Sequence, residues 1–308
     1  MTQSVLHPEL RPELHATPRL RDVAGEQIRA VGLVLRRPLA GLAAVAAAVT
    51  LIIVVHEIGG GEIIDFHPEL SMLPAMAGFL LPLGVWKGER RFGPSFLWSL
   101  PVDHRRHALV KVGAGWVWLM AGVLVFMLWL LGLTLLSGGK ILAEEAMRLL
   151  PATLPPSGAL DPAALRTVRW APTPLFWLVP FTAATGTYLL ASALVVGLRH
   201  PLRWVIGAVV GIGLLSATVE AANAERVADV AELVAKPLLY GPYGLDALFT
   251  ARTESLHTEA LLSTGERVAV WRGLPDLRQW AAATLLWTGL GLAALWAAAS
   301  RHRERRGA

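Results

Sequence analysis

Six runs without Asp, Glu, Lys or Arg dominate the chain, and charged segments separate them. The runs cover approximately residues 39–55, 70–86, 112–136, 174–198, 204–219 and 279–300. A helix needs roughly 20 apolar residues to cross the hydrocarbon of a bilayer. The third, fourth and sixth runs meet this length, and the others reach it with flanking residues. The pattern therefore predicts an all-α integral membrane protein with six transmembrane helices, in a domain that covers residues 39–300.

An amphipathic pattern precedes the first run. The apolar residues recur at helical spacing and share one side of a helical wheel; they are Leu20, Val23, Ala24, Ile28, Val31 and Leu35. The charged residues Arg21, Asp22, Glu26 and Arg29 occupy the opposite side. We predict an interface helix along the inner membrane surface, within a cytoplasmic N-terminal segment at 1–38. This helix either only anchors the chain or also contacts a cytoplasmic partner. A similar pattern at 219–235 predicts an amphipathic helix against the outer face.

The composition agrees with a membrane protein. The 308 residues are 54% hydrophobic and only 17% charged, whereas soluble domains carry about 25% charged residues. The absence of cysteine excludes disulfides and thiolate metal sites. A net charge of +5 would fit a nucleic-acid partner, but its distribution favours membrane topology, and no nucleic-acid partner is expected.

The basic residues predict the orientation, because they favour the cytoplasmic side. With the N-terminus inside, 18 of the 28 lysines and arginines fall in inside segments. These segments are 1–38, 87–111, 199–203 and the basic tail at 301–308; the outside loops are 56–69, 137–173 and 220–278. The loop at 137–173 reads as irregular, with short helices. We therefore expect a multi-pass protein of the cytoplasmic (inner) membrane, surrounded by lipid, with both termini in the cytoplasm.

The inside loop at 87–111 combines charges with apolar neighbours. Ser99 is a suitable helix cap, and Pro101 is tolerated in a first helical turn. A short helix is therefore predicted to begin near Leu100 and to expose Asp103, Arg105 and Arg106. The charges alone would fit a simple topological anchor, whereas the capped start and the apolar flanks favour a docking element.

This loop resembles a segment of a known family. It reads Leu97-Trp-Ser-Leu-Pro-Val-Asp-His-Arg-Arg106, then Lys111-Val-Gly113, after Gly88-Glu-Arg-Arg-Phe-Gly93. Type-2 ABC transporter permeases carry a similar segment between their second and third spans, with one residue fewer before the arginine pair and commonly with Gly-Lys after it. The topology is similar as well.

The resemblance implies a permease subunit of an ATP-driven ABC transporter, usually a bacterial exporter. Its expected partners are ABC ATPase subunits and a second permease, either another copy of this chain or a homologous one. ATP and Mg²⁺ would be bound by the ATPase. The coupling helix that contacts the ATPase would contain Leu100, Pro101, Val102, Asp103, Arg105 and Arg106.

No catalytic, cofactor or metal site is predicted in this chain, and it is not expected to be an enzyme. It has no P-loop and no Gly-x-Ser-x-Gly motif, and His56-Glu57 lacks the second histidine of a zinc-protease motif. The interiors of the six predicted spans contain no ionisable group of the kind that ion-coupled transporters use. The driving force is therefore expected to come from outside the bilayer.

Two sets of hydroxyl groups are the polar features of the spans. They are Thr185, Tyr188 and Ser192 in span four, and Thr284 and Thr288 in span six. They either form hydrogen bonds between helices or line a translocation path. Gly207 and Gly211 in span five form a Gly-x-x-x-Gly face. The alternative function is a membrane anchor or assembly protein that recruits a cytoplasmic partner without transport.

Overall fold

The computed structural model describes a large part of the chain. The described residues are 20–61, 63–66, 71–87, 104–142, 144–150, 161–198, 200–207, 210–211, 214, 237–239, 241–251, 258–264, 266–271 and 273–301. Within them the protein is mostly helical, and two small β-hairpins are also present.

Helices account for most of the described residues. Their bounds are α1 Leu20–Ile53, α2 Met72–Val85, α3 His104–Ser137, α4 Val179–Gly197, α5 Leu245–Thr250 and α6 Leu277–Arg301. A π-helical turn extends α1 to Ile58, and a 3₁₀ turn at Pro174–Leu178 precedes α4. Four helices are long and apolar enough to cross a membrane: Arg21–His56, Arg105–Ser137, Pro174–Gly197 and Leu277–Ser300. They correspond to predicted spans one, three, four and six, and they fit a membrane protein.

The prediction of six spans is not confirmed. Helix α2, at the position of predicted span two, has 14 residues, and its length of about 21 Å is less than the roughly 30 Å of bilayer hydrocarbon. Predicted span five, 204–219, is described only at 204–207, 210–211 and 214, where the backbone is helical. The amphipathic helix predicted at 219–235 lies outside the described residues.

The separate interface helix is not confirmed either, because α1 continues through Pro38 into the first span. A proline removes one backbone hydrogen bond and bends a helix, but membrane helices tolerate it. Two tryptophans of α3 hold α1: Trp118 Nε1 donates to Ile28 O at 2.9 Å, and Trp129 Nε1 donates to Thr50 Oγ1 at 2.7 Å. Both contacts join α1 to α3, one before Pro38 and one after it.

Helix α4 lies at the centre of the packing. It packs extensively against α2 and α6, whereas α1 packs mainly against α3. The main core joins buried side chains of α3, α4 and α6; among them are Leu119, Met127, Tyr188, Leu189 and Leu295. Small residues permit the close approach of the helices. A Cβ atom on Gly291 of α6, for example, would lie 2.7 Å from the Leu189 Cβ of α4.

One antiparallel hairpin follows α3, and a second precedes α6. Strand β1 (Glu145–Leu149) pairs with β2 (Arg166–Trp170), and β3 (Thr258–Leu261) pairs with β4 (Arg267–Val270). Trp271 joins the hairpins, since its amide donates to Arg148 O at 2.8 Å and its carbonyl accepts from Leu150 N at 2.9 Å. The expectation of an all-α fold, with only short helices in the loop at 137–173, therefore missed this β-structure.

The bundle has two distinct ends. The basic end carries the first turn of α1, Trp86 after α2, the start of α3 at His104, the end of α4 and the end of α6. The hairpin end carries the β-strands and the loop after α1, where Phe66 N donates to Lys140 O at 3.2 Å. Among the described residues, the segments predicted to lie outside thus gather at the hairpin end, and the segments predicted to lie inside gather at the basic end.

Candidate functional site at the basic end

The predicted coupling residues lie between α2 and α3. Leu100, Pro101, Val102 and Asp103 lie outside the described residues. Arg105 and Arg106 are described, and they belong to the first turn of α3 rather than to a separate short helix. The structure therefore shows how both ends of the loop are attached to the bundle, at Trp86–Lys87 and at His104.

The two arginines have different surroundings. The guanidinium carbon of Arg105 lies 3.2 Å from the centroid of the Trp296 ring in α6, so its charged plane covers one face of the indole. Arg106 is exposed. Arginine stacks well on aromatic rings because its guanidinium is flat and weakly hydrated. Arg105 thus contacts α6, and Arg106 is the more exposed of the two.

A second cation–aromatic contact lies deeper in the same region. Lys111, two turns into α3, is only 8% exposed. Its ammonium nitrogen lies 4.8 Å from the centroid of the Trp86 ring, directly after α2. A buried ammonium group is costly unless polar groups or aromatic faces compensate it. Lys111 therefore forms part of the contact between the end of α2 and α3, called here the joint between α2 and α3.

The apolar face predicted for the N-terminal helix packs beside this joint. Val31 and Leu35 are buried together with Val85 of α2 and Ala114 of α3. A Cβ atom on Gly32 would lie 2.5 Å from the Trp118 ring, so glycine is required for this approach. The charged side of the same helix is exposed, as predicted, and includes an ion pair between Arg29 and Glu26 at 3.6 Å. The helix surface seen in the sequence pattern is thus used for helix packing.

The hydroxyl groups of span four lie in a packed interface. The Tyr188 hydroxyl is buried and donates to Val112 O of α3 at 2.7 Å. Thr185 Oγ1 donates to Phe181 O at 2.7 Å and accepts from Trp116 Nε1 at 3.1 Å. Ser192 is fully buried one turn after Tyr188. Two of these hydroxyls thus bond to neighbouring groups of α3 or of their own helix, and a role in translocation stays a prediction.

The two threonines predicted in span six are half-buried in α6. Thr284 Oγ1 is enclosed and has no hydrogen-bond partner among the described groups. The described residues also contain no group of three or more His, Cys, Asp or Glu that could hold a metal ion.

An apolar cavity of about 820 Å³ lies between α2, α4, α5 and α6. Its lining is formed mainly by aliphatic, methionine and aromatic side chains, which include Met72, Met76, Phe79, Leu194, Phe249 and Trp287. The hydroxyl of Thr187 in this lining already donates to Ala75 O at 2.8 Å. The cavity therefore offers shape and apolar surface rather than reactive groups.

The sequence pattern missed the aromatic partners of the basic residues. In the sequence, Trp86 lies at the end of the second apolar run and Trp296 lies within the sixth, and neither position indicates a cationic partner. Comparison of the chain with protein-family models, with curated proteins and with solved structures finds no match.

Proposed function

We propose that this chain is the permease subunit of an ATP-driven ABC exporter of the cytoplasmic membrane. A partner ATPase binds ATP and Mg²⁺, and two permeases form the transport unit. The observation that carries the proposal is the basic loop after α2, whose sequence resembles the coupling segment of type-2 ABC permeases. Cation–aromatic contacts at both ends of this loop, Lys111–Trp86 and Arg105–Trp296, support it.

The surroundings of the loop fit a docking role. A loop that receives force has to be attached firmly to the membrane helices, and both attachments described above join it to more than one helix. Arg106 is exposed, and in this proposal it faces an acidic surface of the ATPase. The chain has no P-loop of its own, so in this proposal the ATPase is a separate subunit.

Charge reversal at Arg106 tests the proposal. Breaking a desolvated charge pair at an interface costs about 2–5 kcal/mol, which weakens association about 30-fold or more. We expect Arg106→Glu to insert normally and to lose the ATPase in affinity purification from mild detergent. The matched control is Arg203→Glu, another exposed arginine at the basic end.

The readouts are the amount of co-purified ATPase activity and transport in proteoliposomes. Loss of both with Arg106→Glu, but not with Arg203→Glu, is the expected result. If no ATP-hydrolysing subunit accompanies the wild-type chain, the permease assignment is wrong. If the ATPase binds but no transport of drug, peptide, glycan or lipid substrates is found, the alternative of an anchor or assembly protein is favoured.

A further inference from the structure

The loop that carries the proposed coupling helix is fixed to the bundle by two cation–aromatic contacts, and each lies at one of its ends. Trp86 directly precedes the stretch 87–103 and contacts Lys111, and Arg105, in the first turn of α3 after that stretch, contacts Trp296. We propose that these two pairs, called here the Trp86 clasp and the Trp296 clasp, transmit movement of the loop to the membrane helices. This inference deepens the proposed function and rests on it.

The Trp86 clasp joins α2 to α3. The backbone amide of Trp86 donates to Pro82 O at 3.1 Å, so the ring follows the last turn of α2. Lys111 is 8% exposed, so little water reaches its ammonium group where it faces the Trp86 ring. A cation–aromatic contact is stronger where solvent is excluded. A pull on the start of the loop is therefore shared between the two helices.

The Trp296 clasp joins the first turn of α3 to the last turns of α6. Trp296 is 57% exposed, and the guanidinium of Arg105 lies over its ring. A pull on the end of the loop moves Arg105 first, since it lies one residue after the start of α3. The stacked geometry at 3.2 Å lets this displacement reach α6.

The two clasps connect different packing groups. Helix α4 packs closely on both α2 and α6, whereas α1 packs mainly on α3. Each clasp joins α3 to a helix of the other group at the basic end. Cation–aromatic pairs suit this task, because the ring face tolerates small sliding movements that would break a directional hydrogen bond. Trp86, Lys111, Arg105 and Trp296 are accordingly positioning residues.

Trp296 gives the sharpest test, because it is largely exposed and its loss removes little buried surface. Trp296→Leu keeps an apolar side chain and removes the ring, while Trp296→Phe keeps an aromatic face. The control is Trp204→Leu at another tryptophan, 67% exposed, in the helical stretch 201–207. The chain has no cysteine, so single cysteines can be introduced for spin labels without removing native ones.

The experiment uses the permease purified with its ATPase in lipid nanodiscs. Labels are attached at Gly113→Cys in α3, an exposed position with open space around it, and at Ser300→Cys in α6. The distance between them is measured by pulsed electron spin resonance, without nucleotide and with ATP plus vanadate. Co-purified ATPase and basal ATP hydrolysis are measured on the same samples.

The expected result is a nucleotide-dependent distance change in the wild type and in Trp204→Leu. ATP binding changes the population ratio of the nucleotide-free and the ATP-bound conformation. In Trp296→Leu this change should be about two- to five-fold smaller than in the wild type, as expected for the loss of a partly exposed cation–aromatic contact. Trp296→Phe should restore most of the response. Binding of the ATPase and basal hydrolysis should be unchanged, which separates transmission from folding and docking.

The possible failures are distinguishable. If the wild type binds the ATPase and Trp296→Leu shows the wild-type distance change, the Trp296 clasp does not transmit movement. If the wild-type distance does not change with nucleotide, the inference is wrong even though docking occurs. If no ATPase accompanies the wild-type chain, the proposed function fails, and the inference fails with it.

Discussion

Gly115 provides a quantitative test of the packing between α3 and α4. A Cβ atom at this position would overlap the Tyr188 hydroxyl, and it would lie 3.2 Å from Val85 Cγ2 and 3.3 Å from Tyr188 Cζ. The ring cannot withdraw easily, because Tyr188 is fully buried and its hydroxyl donates to Val112 O at 2.7 Å. Overpacking of this kind costs about 1–3 kcal/mol. We therefore expect Gly115→Ala to lower the free energy of unfolding by about that amount.

Removing the hydroxyl should relieve the clash. Tyr188→Phe alone loses one hydrogen bond, worth about 0.6 kcal/mol in membrane proteins. In that background the nearest atoms to the new methyl group are those at 3.2 and 3.3 Å, and small shifts accommodate it. Gly115→Ala should then cost about 1 kcal/mol or less. The difference, about 1–2 kcal/mol, exceeds the deviation of about 0.5 kcal/mol seen for independent sites.

Reversible unfolding in mixed micelles of mild detergent and sodium dodecyl sulfate measures these differences. Gly113→Ala is the matched control, since Gly113 lies in the same helix with nothing within 4 Å of an added Cβ. It should be neutral, or stabilising by up to about 1 kcal/mol through helix propensity. An equal cost of Gly115→Ala in both backgrounds would refute the predicted contact. A cost as small as that of Gly113→Ala would refute it too.

Two further predictions concern helix contact and topology. Gly291→Ala should destabilise the protein by about 1–3 kcal/mol, because the new Cβ would lie 2.7 Å from α4. Gly289→Ala should not destabilise it, because nothing lies within 4 Å of the new Cβ. Thermal unfolding of the detergent-solubilised proteins measures both effects. With both termini inside, Ser300→Cys should react with a membrane-impermeant maleimide only after the inner face is opened, and Ser157→Cys should react in intact cells. Labelling of Ser300→Cys in intact cells would contradict the orientation.

Continuous apolar runs predicted the long helices well. Predicted span four, 174–198, compares with Pro174–Gly197, and predicted span six, 279–300, compares with Leu277–Ser300. Such runs determine helix position because, in the bilayer, their backbone N–H and C=O groups must form hydrogen bonds within the segment. The helix boundary predicted at Pro38 is not confirmed, since α1 continues through it; a proline weakens a helix locally, and packing by Val31 and Leu35 supports the continuous helix.

The β-structure and the aromatic contacts could not be read from local pattern. Each strand has only four or five residues, which is too short for a clear alternation, and the join between hairpins depends on Trp271, far from Arg148 in the sequence. The different surroundings of Arg105 and Arg106 could not be read from local pattern either, because they also depend on contacts between distant residues. Trp296 meets Arg105 only through the packing of the whole bundle, so neighbouring positions in one motif acquire different contacts.

The backbone join between the hairpins has a mechanical consequence. It fastens the chain that leaves α3 to the chain that enters α6, so the two helices are held together at the hairpin end. Any relative tilt therefore has its pivot there, and its amplitude grows toward the basic end. Helix α6 has 25 residues, or about 37 Å at 1.5 Å per residue, so a tilt of about 5° displaces its far end by about 3 Å. The hairpin join thus restrains α3 and α6 at one end, and at the other end the contact between Arg105 and Trp296 lies where such a tilt would produce the largest displacement.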